Sequence, residues 1–456
     1  MSRPDFTLPE ACERYEYVKF SLDSPLQEPA GDNRQTPRIH QFQINDRGGV
    51  YDFSKGYIDV SFRLERKTIG AYVNRGFVDA DDTAIVNGIH SIIKRLTVKT
   101  DGKFLYDCDY VNFAVHIKKL LEMSKDYAST VGENELYYLD NTIGNDSVGY
   151  IERKALTVVA NNIGANAAGV IVPVLNYRIP LNAYSIFAEM NFNNVLISGV
   201  QLRLLLEMED DVKLIKGPSD AEADLGRIVL TKMDLMIPEV KFRPQYHARY
   251  IDSITSSTPI RWSYLNETVH PFGPTTNPIG VFKIPNTVNP KKVFFFFVNN
   301  NKLTLQSENQ FHFDSFFPDT TYANYIGATN LCTLSKARLE VGSGQYYPEV
   351  NYTPNEELAR LYGDVIRYSH ADDDKSAGVQ LSRKLYRDVF SMLYFDLEYK
   401  KAPLVSDTTD LTFTYTLSIG TNTPYFVYAL VLAEHEAQYT KLNDSFVLLS
   451  EVKVSI

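Results

Sequence analysis

The chain has 456 residues and a 44% hydrophobic content, enough for a large core and more than one ordinary domain needs. Its 46 Lys and Arg against 56 Asp and Glu leave a formal net charge of -10, which argues against a general polyanion binder. The three cysteines, Cys12, Cys108 and Cys332, include no CxxC pair, so neither a disulfide framework nor a cysteine zinc site is indicated, and a reducing compartment is expected.

Residues 1–40, with Pro4, Pro9, Pro25, Pro29 and Pro37, read as an extended arm. The first twenty residues lack the basic-then-apolar pattern of a signal peptide, and no apolar run approaches a transmembrane span, so synthesis in the cytosol is expected. Beyond the arm, "YIDVSFRLER" (Tyr57 to Arg66) and "HSIIKRLTVKT" (His90 to Thr100) alternate with period two and predict strands. "NFAVHIKKLLEMSK" breaks that pattern, because Phe113, His116, Ile117, Leu120 and Leu121 fall on one helical stripe. "VQLRLLLEME" (Val200 to Glu209) is more continuously apolar and predicts a strand covered on both sides. "KGPSDAEADLG" (Lys216 to Gly226) is polar and turn-rich, a natural joint.

Next comes "KKVFFFFVNN" (Lys291 to Asn300), which is expected to open the second roll. In a strand, Phe294 and Phe296 face one way and Phe295 and Phe297 the other, so both faces must be covered: one by a barrel core, the other by a neighbouring barrel, helix or subunit, or equally by a local loop. A second helical stripe follows in Leu358, Leu361, Tyr362, Val365 and Ile366, with Thr353 or Asn355 as cap and Pro354 in the first turn. Each of its positions lies 245 residues after its counterpart in the first stripe. Upstream, Gly102 and Gly344 are 242 apart, as are Tyr110 and Tyr352, so strand, glycine turn, tyrosine and helix recur in the same order. "LTFTYTLSI" (Leu411 to Ile419), "YFVYALVLAEHE" (Tyr425 to Glu436) and "EVKVSI" (Glu451 to Ile456) close the chain as strands.

The expected fold class is therefore mainly β, with two tandem jelly-roll β-sandwich barrels, each with a helix inserted between strands. The expected division is an N-terminal arm at 1–40, a first roll at 41–215, a linker at 216–235, and a second roll with the C-terminal strand at 236–456.

Motifs for chemistry are sparse. There is no P-loop, GxGxxG, HExxH or GxSxG, and the eight histidines are scattered without metal spacing. His116, within an apolar stripe, reads as a satisfied core histidine in preference to a metal ligand. The acidic runs at Asp79 to Asp82, Glu207 to Asp211 and His370 to Ser376 read as solvated loop tips, with a loose calcium site the sharper alternative. Asp107 with Asp109, and Glu434 with Glu436, each place two acids on one strand face, which a glycosidase could use. No catalytic, cofactor-binding or metal residues are assigned, and the chain is not expected to be an enzyme.

The stretch "GGVYDFSKGYIDVSFRLER…VNGIHSIIKRLTVKTDGKFLYDCDYVNFAVHIKKLLEMS" resembles the first roll of the double jelly-roll major capsid proteins of Polinton-like viruses and adintoviruses. "LYRDVFSMLYFDLEYKKAPLVSDTTDLTFTYTLS…YFVYALVLAEHEAQYTKLNDSFVLL" resembles the end of their second roll. More distantly, the plan is similar to that of virophage capsid proteins and adenovirus hexon. The resemblance implies a structural major capsid protein of an icosahedral dsDNA virus, forming pseudo-hexameric homotrimers that contact neighbouring capsomers and minor capsid or penton proteins within the virion. It implies no catalytic residues, no cofactor and no sequence-specific nucleic-acid binding. The alternative is a carbohydrate-binding or glycosidase-like β-sandwich; the 30 tyrosines allow it, while the single Trp262 counts against sugar stacking. A small-virus capsid with an arginine-rich arm fits less well, because residues 1–40 carry five basic and seven acidic side chains.

Overall fold

The computed structural model describes residues 8–29, 35, 38–44, 49–68, 71–73, 82–100, 103–127, 129–161, 165–166, 169–170, 174–191, 196–221, 225–254, 259–317, 324–329, 332–342, 345–346, 350–351, 357–368, 379–398, 409–442 and 445–452. Gly102, Gly344, Tyr352, Thr353, Pro354, Asn355, Asp79 to Asp81 and His370 to Ser376 lie outside the described residues.

Eight strands of the first half are β1 (Cys12–Ser21), β2 (Ile39–Ile44), β3 (Tyr57–Thr68), β4 (Ile93–Thr100), β5 (Lys103–Asp109), β6 (Leu175–Pro180), β7 (Leu202–Met208) and β8 (Gly226–Phe242). They form two antiparallel sheets, one in the order β6-β3-β8-β1 and the other β2-β7-β4-β5. The second half supplies β9 (Ile260–Thr275), β10 (Ile279–Thr287), β11 (Pro290–Asn299), β12 (Leu334–Val341), the short β13 (Gln345–Tyr346) and β14 (Val350–Asn351), β15 (Leu393–Asp396), β16 (Thr409–Leu417), β17 (Tyr425–Leu442) and β18 (Ser445–Val452). Here the sheets run β15-β11-β17-β9, with β18 added on β17, and β10-β16-β12 with β13 and β14 both on β12. With the short β13 and β14 counted as one strand and β18 set aside as an addition, the two halves match strand for strand. In each, the first strand lies beside the last, and the second beside the seventh, which is the doubled Greek key of a jelly roll.

Helix α1 (Val111–Glu122) leaves β5, and the corresponding helix in the second half, Leu358–Arg367, follows β14. Both sit between the fifth and sixth strands of their roll, so the repeat at 245 residues is a repeat of topology. α2 (Val148–Asn161) belongs to the first half, and α3 (Pro244–Ser253) connects β8 to β9; the second-half helix is α4, followed by α5 (Arg383–Asp388).

Four expectations need correction. Residues 226–235, assigned to a linker, are strand: β8 pairs with β3 from Gly226 to Met236 and with β1 from Asp234 to Phe242. Pro238 lies within β8, and its carbonyl accepts from the Asp52 amide at 3.1 Å. Within the arm, Cys12–Ser21 is strand β1. The phenylalanine run does not open the second half, since β9 and β10 precede it. Finally, β7 is covered on one face only, with Arg203 exposed between buried Leu202 and Leu204.

The phenylalanines of β11 occupy two cores at once, and all four are 0% exposed. Phe295 stacks on Phe413 of β16 with centroids 3.8 Å apart, and Phe297 meets Tyr415 at 5.2 Å, inside their own roll. Phe294 faces Tyr368 at the end of α4 and Tyr394 of β15. Phe296 meets Phe113 of α1 at 5.4 Å, which is a contact with the first roll. The second cover therefore comes from the same chain, and no second subunit is needed to supply it. Phe295→Ala should cost about 3–5 kcal/mol in urea unfolding. Val281→Ala, at a side chain 62% exposed on β10, should stay within about 0.5 kcal/mol.

Candidate functional site: the seam between the two rolls

The most elaborate arrangement of side chains lies where the rolls meet. Its apolar layer is built on α1, which Tyr110, in the left-handed region at φ 55°, turns out of β5. Residues Val111 to Ile117 are all buried, because α1 packs on β4 of its own roll and on β9 of the other. Phe113 lies 4.9 Å from Tyr428 of β17 and 5.3 Å from Phe311, while Tyr110 meets Tyr428 at 5.6 Å. These separations suit tilted and edge-to-face aromatic pairs.

A polar network crosses the same seam. Asp140 of the first roll accepts both Nη2 contacts of Arg153, at 3.0 and 2.8 Å, and the Ser147 hydroxyl at 2.8 Å. From the second roll come His312 Nε2 at 2.9 Å and the Asn309 amide at 3.3 Å. Arg153, fully buried, also donates to the carbonyls of Ile85 and Tyr138. Burial opposes ionisation of Asp140, yet Arg153 and His312 hold its carboxyl well below the ordinary range. Burial also pushes His312 down to about 4 against the pull of Asp140, and His116 to about 3 with His312 adding to the effect.

Further ties cross elsewhere. Tyr264 of β9 donates to the Leu105 carbonyl at 2.8 Å, and the Ser198 amide donates to the Tyr439 hydroxyl at 3.1 Å. The Gln306 side chain closes on both the amide and the carbonyl of Gly226, at 2.9 and 2.8 Å. Glu267 of β9 accepts from the Ser185 hydroxyl at 2.6 Å, and burial raises its pKa. It borders a cleft of about 300 Å³ between the rolls, lined also by Lys118, Glu122, Phe294 and Tyr368.

The sequence candidates for chemistry are tied up elsewhere. His116 is a buried core histidine, with the Asn87 amide 2.7 Å from Nδ1. Asp107 is held by Arg95 at 2.8 and 2.6 Å and by Thr97, while Asp109 has Lys94 at 3.6 Å. Glu434 pairs with Lys291 and Glu436 with Arg261, each at 3.3 Å. The run at 207–211 is no solvated tip: Glu209 is buried and accepts from Asn112 at 3.0 Å, and Asp210 pairs with Arg38 at 2.7 Å. Asp82 accepts from Lys154 at 2.9 Å and Asn145 at 2.8 Å. Among the described residues no group of three or more His, Cys, Asp or Glu could hold a metal ion, and no helix is long and apolar enough to cross a membrane. Trp262 is 4% exposed and offers no face to a sugar. The Asp140, Arg153 and His312 network was not anticipated; its members carry no local signature.

No family model and no curated protein matches the sequence. Solved structures do. A chain of the Sputnik virophage structure is 10% identical, with a TM-score of 0.58 over 100% of this chain and 92% of that one. The mavirus major capsid protein is 10% identical, with a TM-score of 0.54 over 96% and 90%. The Faustovirus major capsid protein is 11% identical, with a TM-score of 0.53 over 96% and 92%. The chain has the double jelly-roll fold of these major capsid proteins.

The seam makes stability depend on pH. His312 is below its ordinary value of 6.5 in the folded state, so the unfolded chain takes up protons first as pH falls. The stability it contributes is present above about pH 6.5 and is lost as pH drops towards 4, an effect on the order of 3 kcal/mol. Glu267, raised by burial, acts with the opposite sign. Urea midpoints measured from pH 7 to pH 4 should fall in the wild type, and His312→Gln should flatten that slope.

Proposed function

We propose that the chain is a structural major capsid protein whose homotrimer is the pseudo-hexameric capsomer of an icosahedral dsDNA virus shell. The observation that carries this reading is the pair of topologically matched rolls joined by a buried seam. Two rolls held in one orientation let three chains present six similar barrels, so a trimer can occupy a lattice site with six neighbours. The likeness to the mavirus and Faustovirus major capsid proteins, over nearly the whole of each chain, supports it. Neighbouring capsomers and minor capsid or penton proteins would be its partners, and the virion its location. No catalytic role is proposed.

We place the two rolls at 12–242 and 260–452, with α3 in the joint, in place of 41–215 and 236–456. The strand pairing of β1 and β8 supports this division.

Light scattering on the purified chain should give three times the 51.8 kDa of one copy. A stable monomer at micromolar concentration would contradict the capsomer reading and favour a binding protein. With a net charge of -10, the protein should produce no gel shift of duplex DNA at physiological salt, whereas tight, salt-resistant binding would count against a shell held together by protein contacts alone.

A further inference from the structure

Behind β11, the chain turns through a short helix, Asn301–Thr304, and buries a lysine beside an asparagine and an aspartate. Lys302 is 4% exposed, Asp314 0% and Asn324 2%. Lys302 Nζ lies 2.7 Å from Asp314 Oδ1, 2.5 Å from Asn324 Oδ1 and 2.6 Å from the His312 carbonyl. The Asn324 amide nitrogen donates to the carbonyls of Phe313 at 2.7 Å and Asp388 at 2.8 Å, which fixes the side chain with its oxygen towards the lysine. Asn299 adds a donor to Asp314 at 3.0 Å. The buried phenylalanines Phe313, Phe316 and Phe317 flank the aspartate in the chain.

We propose that Lys302 and Asn324 form an intramolecular isopeptide bond, with Asp314 as the proton-transfer residue. The first step is proton transfer from Nζ to the Asp314 carboxylate, whose Oδ1 lies 2.7 Å away. The freed lone pair of Nζ attacks Cγ of Asn324, a few ångströms away. Asp314 passes its proton to Oδ1 and takes another from Nζ. The tetrahedral carbon then re-forms its carbonyl, and the Cγ–Nδ2 electron pair leaves with a proton as ammonia. The products are one Nζ–Cγ amide, one ammonia and a neutral Asp314 acid, with no change of oxidation state and no co-reactant. Fixed proximity replaces an encounter between separate groups and removes its entropic cost.

The burial of Asp314 raises its pKa against the opposing effect of Lys302, consistent with the neutral acid persisting beside the new amide. The bond would tie the turn after β11 to the start of the segment before β12, adding a covalent restraint on the strand whose phenylalanines hold the seam. The proposal rests on this cluster alone and is independent of the capsid reading.

Intact-mass spectrometry of the purified full-length chain tests it. The wild type should be lighter than its sequence by one ammonia, and a tryptic digest should contain a branched peptide joining Lys302 to Asn324, with no cleavage after Lys302. Asp314→Asn should restore the full mass. A wild-type mass equal to that of the sequence would overturn the proposal, as would an ammonia lost within a single linear peptide, the mark of a cyclised asparagine. Continued formation of the branched peptide in Asp314→Asn would overturn the role of Asp314. The wild-type result does not depend on how the variant folds.

Discussion

A strand with four consecutive phenylalanines cannot be satisfied by one sandwich. Phe295 and Phe297 fill the interior of the second roll, which leaves Phe294 and Phe296 needing a second apolar surface. Each such ring contributes about 1.5–3 kcal/mol when taken out of water, so exposing two would consume much of a domain's net stability. The chain meets the requirement internally. α4 covers Phe294, and α1 of the first roll presents Phe113 to Phe296. The rolls are held together by a shared core in which each half completes the other.

Apolar contact is strong but not directional, and would allow the rolls to slide. The buried polar network removes that freedom. Asp140 and Arg153 come from one roll and His312 and Asn309 from the other, and the hydrogen bonds between them are met in one orientation. Breaking such a pair leaves a buried charge uncompensated, at a cost of about 3–5 kcal/mol. A fixed angle between two barrels is what a tiling subunit needs, because an angular error in each subunit accumulates around a closed shell. Stability and proposed function thus depend on the same seam.

The fold was legible where a physical pattern survives in one dimension. Alternation identified β3, β4 and β16, and the two helical stripes at a common spacing identified the duplication. The burial of both faces at Phe294 to Phe297 followed from the geometry of a strand. Elsewhere the signal was lost. β8 was read partly as linker because the polar, turn-rich stretch before it resembles a break. β1 was hidden among the prolines of residues 1–40, with most of its side chains exposed. The polar network left no local trace, since Asp140 and His312 are 172 residues apart and each is an ordinary residue in its own neighbourhood. The acidic pairs on strand faces were visible, but the cations that neutralise them lie on adjacent strands, so their roles emerged only once the register was known.

The most direct test of the account is cryo-electron microscopy of the purified assembly, at a resolution that traces individual chains. It should reveal six barrels in a pseudo-hexagonal ring about a threefold axis, with the two barrels of one chain meeting across Phe113 and Phe296. Barrels of one chain standing apart, with those two rings buried against a different chain or facing solvent, would contradict it.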